Sequence, residues 1–115
     1  MIEKESDIIK VILEYLAYNN IFSWRNNTGA FPIESGGGKR RYFRAGLPGM
    51  SDILGVLPDG RMLAIEVKTV KGRVSPLQNA FITVINRYGG LAFVARSIGD
   101  VEAEFRAWGY LEKKT

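Results

Sequence analysis

The stretch Met62-Leu63-Ala64-Ile65-Glu66-Val67-Lys68 constrains the fold more than any other part of the chain. Leu63, Ala64, Ile65 and Val67 leave neither face of a strand polar, and a strand apolar on both faces belongs at the centre of a covered sheet. Charges at the end of such a strand sit in a cleft rather than on an open surface. Because strand side chains alternate, Glu66 and Lys68 point to one face and Val67 to the other. Just upstream, Pro58-Asp59-Gly60 separates the strand predicted at Arg61 to Lys68 from a second apolar run, Asp52 to Leu57. Proline presets φ and glycine accepts φ > 0, so the tripeptide predicts a hairpin. The turn carries Asp52 back alongside Glu66 and Lys68.

The flanking segments follow in an order that suits an α/β domain. Glu3 to Tyr18 reads as an amphipathic helix, with Ile8, Ile9, Ile12, Leu13 and Leu16 at helical spacing and Ser6 or an upstream residue as cap. Asn19-Asn20 stops it, and Ile21 to Arg25 is a short first strand. Asn26 to Met50 is rich in Gly, Asn, Pro and charge, centred on Gly36-Gly37-Gly38, and predicts a long functional or disordered loop. After Lys68, Lys71-Gly72-Arg73 makes a turn. Ser75, Pro76 and Gln78 form an N-cap, a first helical position and a capping-box partner for a helix running to about Tyr88. Gly89-Gly90 terminates it, Leu91 to Ala95 is a buried strand, and Asp100 to Trp108 is a last helix. The predicted order is α-β-β-β-α-β-α. Trp24 and Trp108 are expected in the core.

Composition narrows the chemistry. The 115 residues, 46% hydrophobic, suit one domain over residues 1–115 with a single core. No apolar run is long enough to span a bilayer and no signal-peptide core opens the chain, so no membrane association is expected. Cysteine is absent, which removes disulfides and thiolate metal sites and fits a reducing cytoplasm. Histidine is absent too, which removes the Ser-His and Cys-His devices and every His-ligated zinc site. Catalysis must run on carboxylates, lysine, arginine, tyrosine or hydroxyls. The net charge of +4 favours a polyanionic partner only weakly. More telling, Lys39, Arg40, Arg41 and Arg44 crowd together around Tyr42 and Phe43, beside Asp52 in sequence. Arginines on phosphates and rings against sugars or bases give that segment a role in DNA contact.

Two carboxylates and a lysine at one spot suit phosphodiester hydrolysis. Carboxylate oxygens hold hard cations such as Mg²⁺ or Mn²⁺, which bind phosphate oxygens as well. A neighbouring lysine positions or deprotonates the attacking water and opposes developing negative charge. A lone Glu-x-Lys is common as a surface ion pair, and the apolar flanks of this one argue for a cleft instead. Glu3 and Glu5 either join the site or favour the helix N-terminus through its dipole. Glu14 is a solvated residue. Gln78 either caps its helix or turns toward the acidic pair.

Gly49-Met50-Ser51-Asp52, then Glu66-Val67-Lys68, then Gln78 resembles the PD-(D/E)XK nuclease pattern, and more closely the VRR-NUC family. That family occurs as small stand-alone proteins in phages and bacteria and as the C-terminal domain of the Fanconi-anaemia-associated nuclease. The likeness covers nearly the whole chain, including the helix-1 glutamate, Trp24-Arg25-Asn26-Asn27 and the Arg44-to-Gly49 stretch. It implies a restriction-endonuclease-like α/β fold, with an α-β-β-β-α-β core and a mixed four-stranded central sheet flanked by helices. It also implies Asp52, Glu66 and the Val67 carbonyl as metal ligands, Lys68 as catalytic lysine, and Gln78 and Glu5 as further active-site residues, with Glu3 second to Glu5. Arg25 and Asn27 join Lys39, Arg40, Arg41 and Arg44 as DNA contacts. Two departures stand out: Ser51 occupies the usual proline position, and Ile9 lies where related sequences often carry glutamine. Stand-alone members resemble Holliday-junction resolvases that act as homodimers. The expected activity is therefore Mg²⁺- or Mn²⁺-dependent cutting of branched DNA in a bacterial or phage-infected cell. A flap or duplex nuclease and an inactive DNA-binding module are the rivals.

Overall fold

A computed structural model describes residues 4–27, 29–35 and 39–111. Helix α1 spans Glu5–Tyr18 and strand β1 spans Phe22–Arg25. Strands β2 (Gly29–Ser35), β3 (Lys39–Ala45), β4 (Ile53–Val56) and β5 (Met62–Val67) follow. Helix α2 (Pro76–Arg87), strand β6 (Leu91–Ala95) and helix α3 (Ile98–Trp108) complete the chain. The central sheet has the order β1-β4-β5-β6, antiparallel except for the parallel β5–β6 pair, so it is mixed and four-stranded. This is the expected restriction-endonuclease-like α/β architecture.

Each element has a local cause. Ser75 accepts from the Gln78 backbone N–H while the Gln78 side chain accepts from Ser75 N, a complete capping box with Pro76 at the first helical position. In contrast, α1 begins after Lys4, which makes no side-chain cap, and Ser6 lies inside the helix. Glu5 and Asp7 in the first turn favour that end through the helix dipole instead.

The sheet is covered on both faces, as the apolar character of β5 requires. One face carries Ile53, Leu63, Ile65, Val67, Leu91, Phe93 and Ala95 beneath Ile8, Ile9, Ile12 and Leu16 of α1 and Val101 and Phe105 of α3. The other face carries Leu54, Ala64 and Ala92 beneath Phe81, Ile82 and Ile85 of α2. Helix α2 leaves part of its face uncovered. Trp24 pairs with Leu54, and Phe22 pairs with Val56, which pairs with Met62. Phe22, Trp24, Val56 and Met62 all stay exposed there, the two rings 5.5 Å apart. At the opposite edge, the Asn86 carboxamide donates to Ala92 O at 2.9 Å and accepts from Ala92 N at 2.8 Å, closing part of β6 to further pairing.

Three expectations change. The segment Asn26 to Met50, predicted as a loop, contains an antiparallel hairpin that runs in register from Gly29 opposite Ala45 to Ser35 opposite Lys39. Backbone pairing tolerates charged side chains, so the basic residues hid a β pattern; Gly36, Gly37 and Gly38 lie outside the described residues. Trp24, expected in the core, is 43% exposed because β1 is an edge strand whose outer face no helix covers. Trp108 is 56% exposed, and the Arg61 guanidinium stacks over its ring at 4.9 Å. Tyr110 and Leu111 pack, partly buried, against the main core.

Candidate active site

The register of the central hairpin builds the site. Ile53 pairs with Ile65, so the next residues outward, Asp52 and Glu66, face each other at the same end of the sheet. The Val67 backbone N–H donates to Asp52 Oδ2 at 2.8 Å, which locks the Asp52 carboxylate onto the end of β5. Asn26 fixes the approach to Asp52: its backbone N–H donates to Asp52 O at 2.7 Å, and its side chain donates to Ser51 O at 3.2 Å. Gly49 sets the same segment against α2. Its φ is +82°, and a Cβ there would lie 2.4 Å from the Leu77 carbonyl oxygen, so only glycine lets the two backbones approach.

Glu66 is the chemically unusual residue. It is 1% exposed, and its Oε2 accepts from Gln78 Nε2 at 3.2 Å and faces Lys68 Nζ at 3.8 Å. Its Oε1 is buried and has no hydrogen-bond partner among the described residues, an arrangement folded proteins avoid unless something else fills the position. Burial, hydrogen bonding to Asp52 and repulsion from its charge push the Glu66 carboxyl up to about 8, and Lys68 opposes the shift. The Glu5 charge also raises it, which places the start of α1 on the rim of the same site. Gln78 has two roles at once: its Oε1 closes the capping box and its Nε2 holds Glu66.

The side chains that could hold an ion, Asp52 and Glu66, offer only carboxylate oxygen. Hard cations such as Mg²⁺ and Mn²⁺ prefer such a set, and the orphaned Glu66 Oε1 is the atom that a cation would satisfy. Among the described residues no three acidic side chains gather closely enough to hold one ion, so Asp52 and Glu66 would supply the side-chain ligands and Glu5 stands further out.

The structure thus brings Asp52, Glu66, Lys68 and Gln78 together, with Glu5 at the rim. Glu3 lies outside the described residues. The Val67 side chain sits in the main core, and only its backbone faces Asp52. Arg25 is exposed at the end of β1, opposite Ile53, and Asn27 is exposed between β1 and β2. Lys39, Arg40, Arg41 and Arg44 lie along β3, in register with Ser35, Glu34, Ile33 and Ala30. Sequence reasoning gave no role to Asn26 or Gly49. Gly49 had a signal in its place before Met50-Ser51-Asp52, whereas the backbone it approaches is distant in sequence.

No helix among the described residues is long and apolar enough to cross a membrane. No curated protein matches the chain. The family model of the VRR-NUC domain matches residues 3–98, from the first helix through the last strand and including Asp52, Glu66, Lys68 and Gln78. The chain belongs to the VRR-NUC family of nucleases.

Proposed function

We propose that this protein is a Mg²⁺- or Mn²⁺-dependent DNA endonuclease whose active site is Asp52, Glu66, Lys68 and Gln78, with Glu5 at its edge. The observation that carries this is the buried Glu66 carboxylate, with one oxygen held by Gln78 and Lys68 and the other without a partner. Asp52, held by Val67 N–H, presents a second carboxylate to the same point. A bound divalent cation supplies Lewis-acid polarisation of the phosphate and lowers the pKa of a coordinated water.

The protein's own groups do the rest. Asp52, Glu66 and the Val67 carbonyl would hold the ion, and Gln78 fixes the rotamer of Glu66. Lys68 orients the attacking water and opposes charge on the phosphate oxygens as the new P–O bond forms and the leaving P–O bond breaks. Arg25, Asn27 and the basic residues of β3 hold the DNA backbone.

The substrate assigned is branched DNA, with four-way junctions first, cut by a homodimer in the cytoplasm of a bacterial or phage-infected cell. A pair of sites is what a symmetric cut across a junction requires. Among the described residues, the uncovered apolar strip of Phe22, Trp24, Val56 and Met62 is a surface suited to self-association. The test is a panel of labelled four-way-junction, flap and duplex DNAs of equal length, each incubated with Mg²⁺ and with Mn²⁺. The proposal expects paired, symmetric cuts in the junction and slower cutting of the others. Preferred cutting of flap or plain duplex overturns the substrate assignment, and no cutting of any of them overturns the enzyme assignment.

A further inference from the structure

The segment between β5 and α2 starts at the catalytic lysine and ends at the cap of the helix that carries Gln78. Thr69 to Gly72 turn back on themselves, with Gly72 N donating to Thr69 O at 3.0 Å. Among the described residues no helix or strand hydrogen bond holds this turn. What holds it is one side chain from the neighbouring strand end. Arg96 Nη1 donates to the carbonyls of Thr69, Gly72 (2.8 Å) and Val70 (3.3 Å).

Arg96 is itself well anchored. Its backbone N–H donates to Asp100 Oδ2 at 2.8 Å, at the first turn of α3. One residue earlier, Ala95 O accepts from Lys68 N at 3.1 Å, so Arg96 and Lys68 leave the same parallel strand pair side by side. The turn also runs close to the lysine. A Cβ built on Gly72 would meet Lys68 Cβ and Cδ at 3.4 Å, so the Gly72 backbone passes within one methyl group of the aliphatic stem of Lys68. That stem leads to the ammonium group 3.8 Å from Glu66 Oε2.

We propose that Arg96 is a positioning residue of the nuclease site: it clamps the 69–72 turn so that Gly72 supports the Lys68 stem and aims its ammonium at Glu66. The inference rests on the assignment of Lys68 to catalysis above. Arg96 does not touch the reacting atoms, and it carries no acidic partner among the described residues that would give it a different structural purpose. The guanidinium keeps its charge and holds its N–H groups in a fixed plane, whereas a lysine ammonium on a flexible stem is a less directed donor.

The experiment compares wild type with Arg96→Met, Arg96→Lys and Gly72→Val in three measurements: single-turnover cleavage in Mg²⁺, DNA affinity in Ca²⁺, and amine labelling of Lys68 read by mass spectrometry against Lys71. Arg96→Met is expected to lose roughly 10- to 100-fold in cleavage rate, since small displacements of a reacting group have effects of that size. DNA affinity should stay within about 2-fold, and Lys68 labelling should rise several-fold over Lys71. Arg96→Lys should recover part of the rate. Gly72→Val, whose branched side chain pushes on the Lys68 stem while leaving Arg96 intact, should reproduce the loss.

Wild-type cleavage in Arg96→Met with unchanged Lys68 labelling overturns the inference. So does a loss of rate matched by an equal loss of DNA affinity or by a collapsed melting transition, because Arg96 would then be scaffold alone. If wild type itself cuts nothing, the nuclease assignment fails, and the labelling comparison still reports whether Arg96 holds Lys68.

Discussion

Replacing Glu66 with glutamine should make the metal-free protein more stable at high pH while abolishing cleavage. The folded state holds the Glu66 proton more tightly than the unfolded chain does, because the carboxyl is raised from 4.5 to about 8 by burial and by Asp52. Below 4.5 both states are protonated and the site adds no penalty. Between 4.5 and about 8 the unfolded chain ionises first, so stability falls as pH rises; above that interval the whole penalty is present. At about 1.4 kcal/mol per pH unit, the interval sets a ceiling near 5 kcal/mol. The interval already contains the opposing charge of Lys68; relaxation and water entry around the charge reduce the ceiling further, and about 2 kcal/mol is the expected effect. For a domain of this size that corresponds to roughly 8 °C in Tm. Glutamine keeps the shape, accepts from Gln78 and donates to Asp52 without carrying charge. The assay is thermal melting of both proteins in EDTA at pH 5 and pH 9. Near-equal Tm values at pH 5 and a more stable Glu66→Gln at pH 9 are expected. A variant less stable than wild type at pH 9, or a difference that does not change with pH, would refute the account of Glu66.

Other consequences are open to equally direct measurement. Gly49→Ala adds a Cβ at positive φ against the Leu77 carbonyl and should lower stability by about 3 kcal/mol in urea unfolding, with the loss spread to the Asp52 segment; wild-type stability would contradict the close approach. Trp24→Glu on the uncovered strip should shift sedimentation from dimer to monomer with little change in Tm, and an unchanged dimer would move the interface elsewhere. Replacing Lys39, Arg40, Arg41 and Arg44 with alanine should flatten the salt dependence of DNA binding by about 0.9 log units per lost phosphate contact, and an unchanged slope would remove β3 from the DNA interface.

Sequence reasoning reached furthest where a local rule and a long-range consequence coincide. Ser75-Pro76-Leu77-Gln78 announces a helix start through capping chemistry alone, and the helix begins there. The Pro58-Asp59-Gly60 turn fixes a register, and the register sets Asp52 opposite Glu66. The covered, central place of β5 followed from its own residues, since a strand apolar on both faces needs layers above and below it, while the restriction-endonuclease-like architecture came with the family resemblance. The β2–β3 hairpin escaped because its strands carry basic residues and Pro32, which read as loop when each residue is weighed alone. Trp24 escaped for a different reason. Its burial depends on where α2 lies over the sheet, and that placement is set by Leu54, Ala64 and Ala92, not by anything near residue 24. Gly49 and Arg96 act on backbone far away in sequence, and no local pattern announces such a contact.

The central claim is that the buried acidic pair with its lysine is a metal-dependent cutting site. The most direct measurement is the single-turnover cleavage rate of a labelled four-way junction in Mg²⁺ by wild type, Glu66→Ala and Lys68→Ala, at protein concentrations that saturate the DNA. Wild type should cut in Mg²⁺ and stop in EDTA, and each variant should lose at least about 100-fold in rate while still binding the junction. A Glu66→Ala protein that cuts as fast as wild type would contradict the claim, as would wild-type cutting that continues in EDTA.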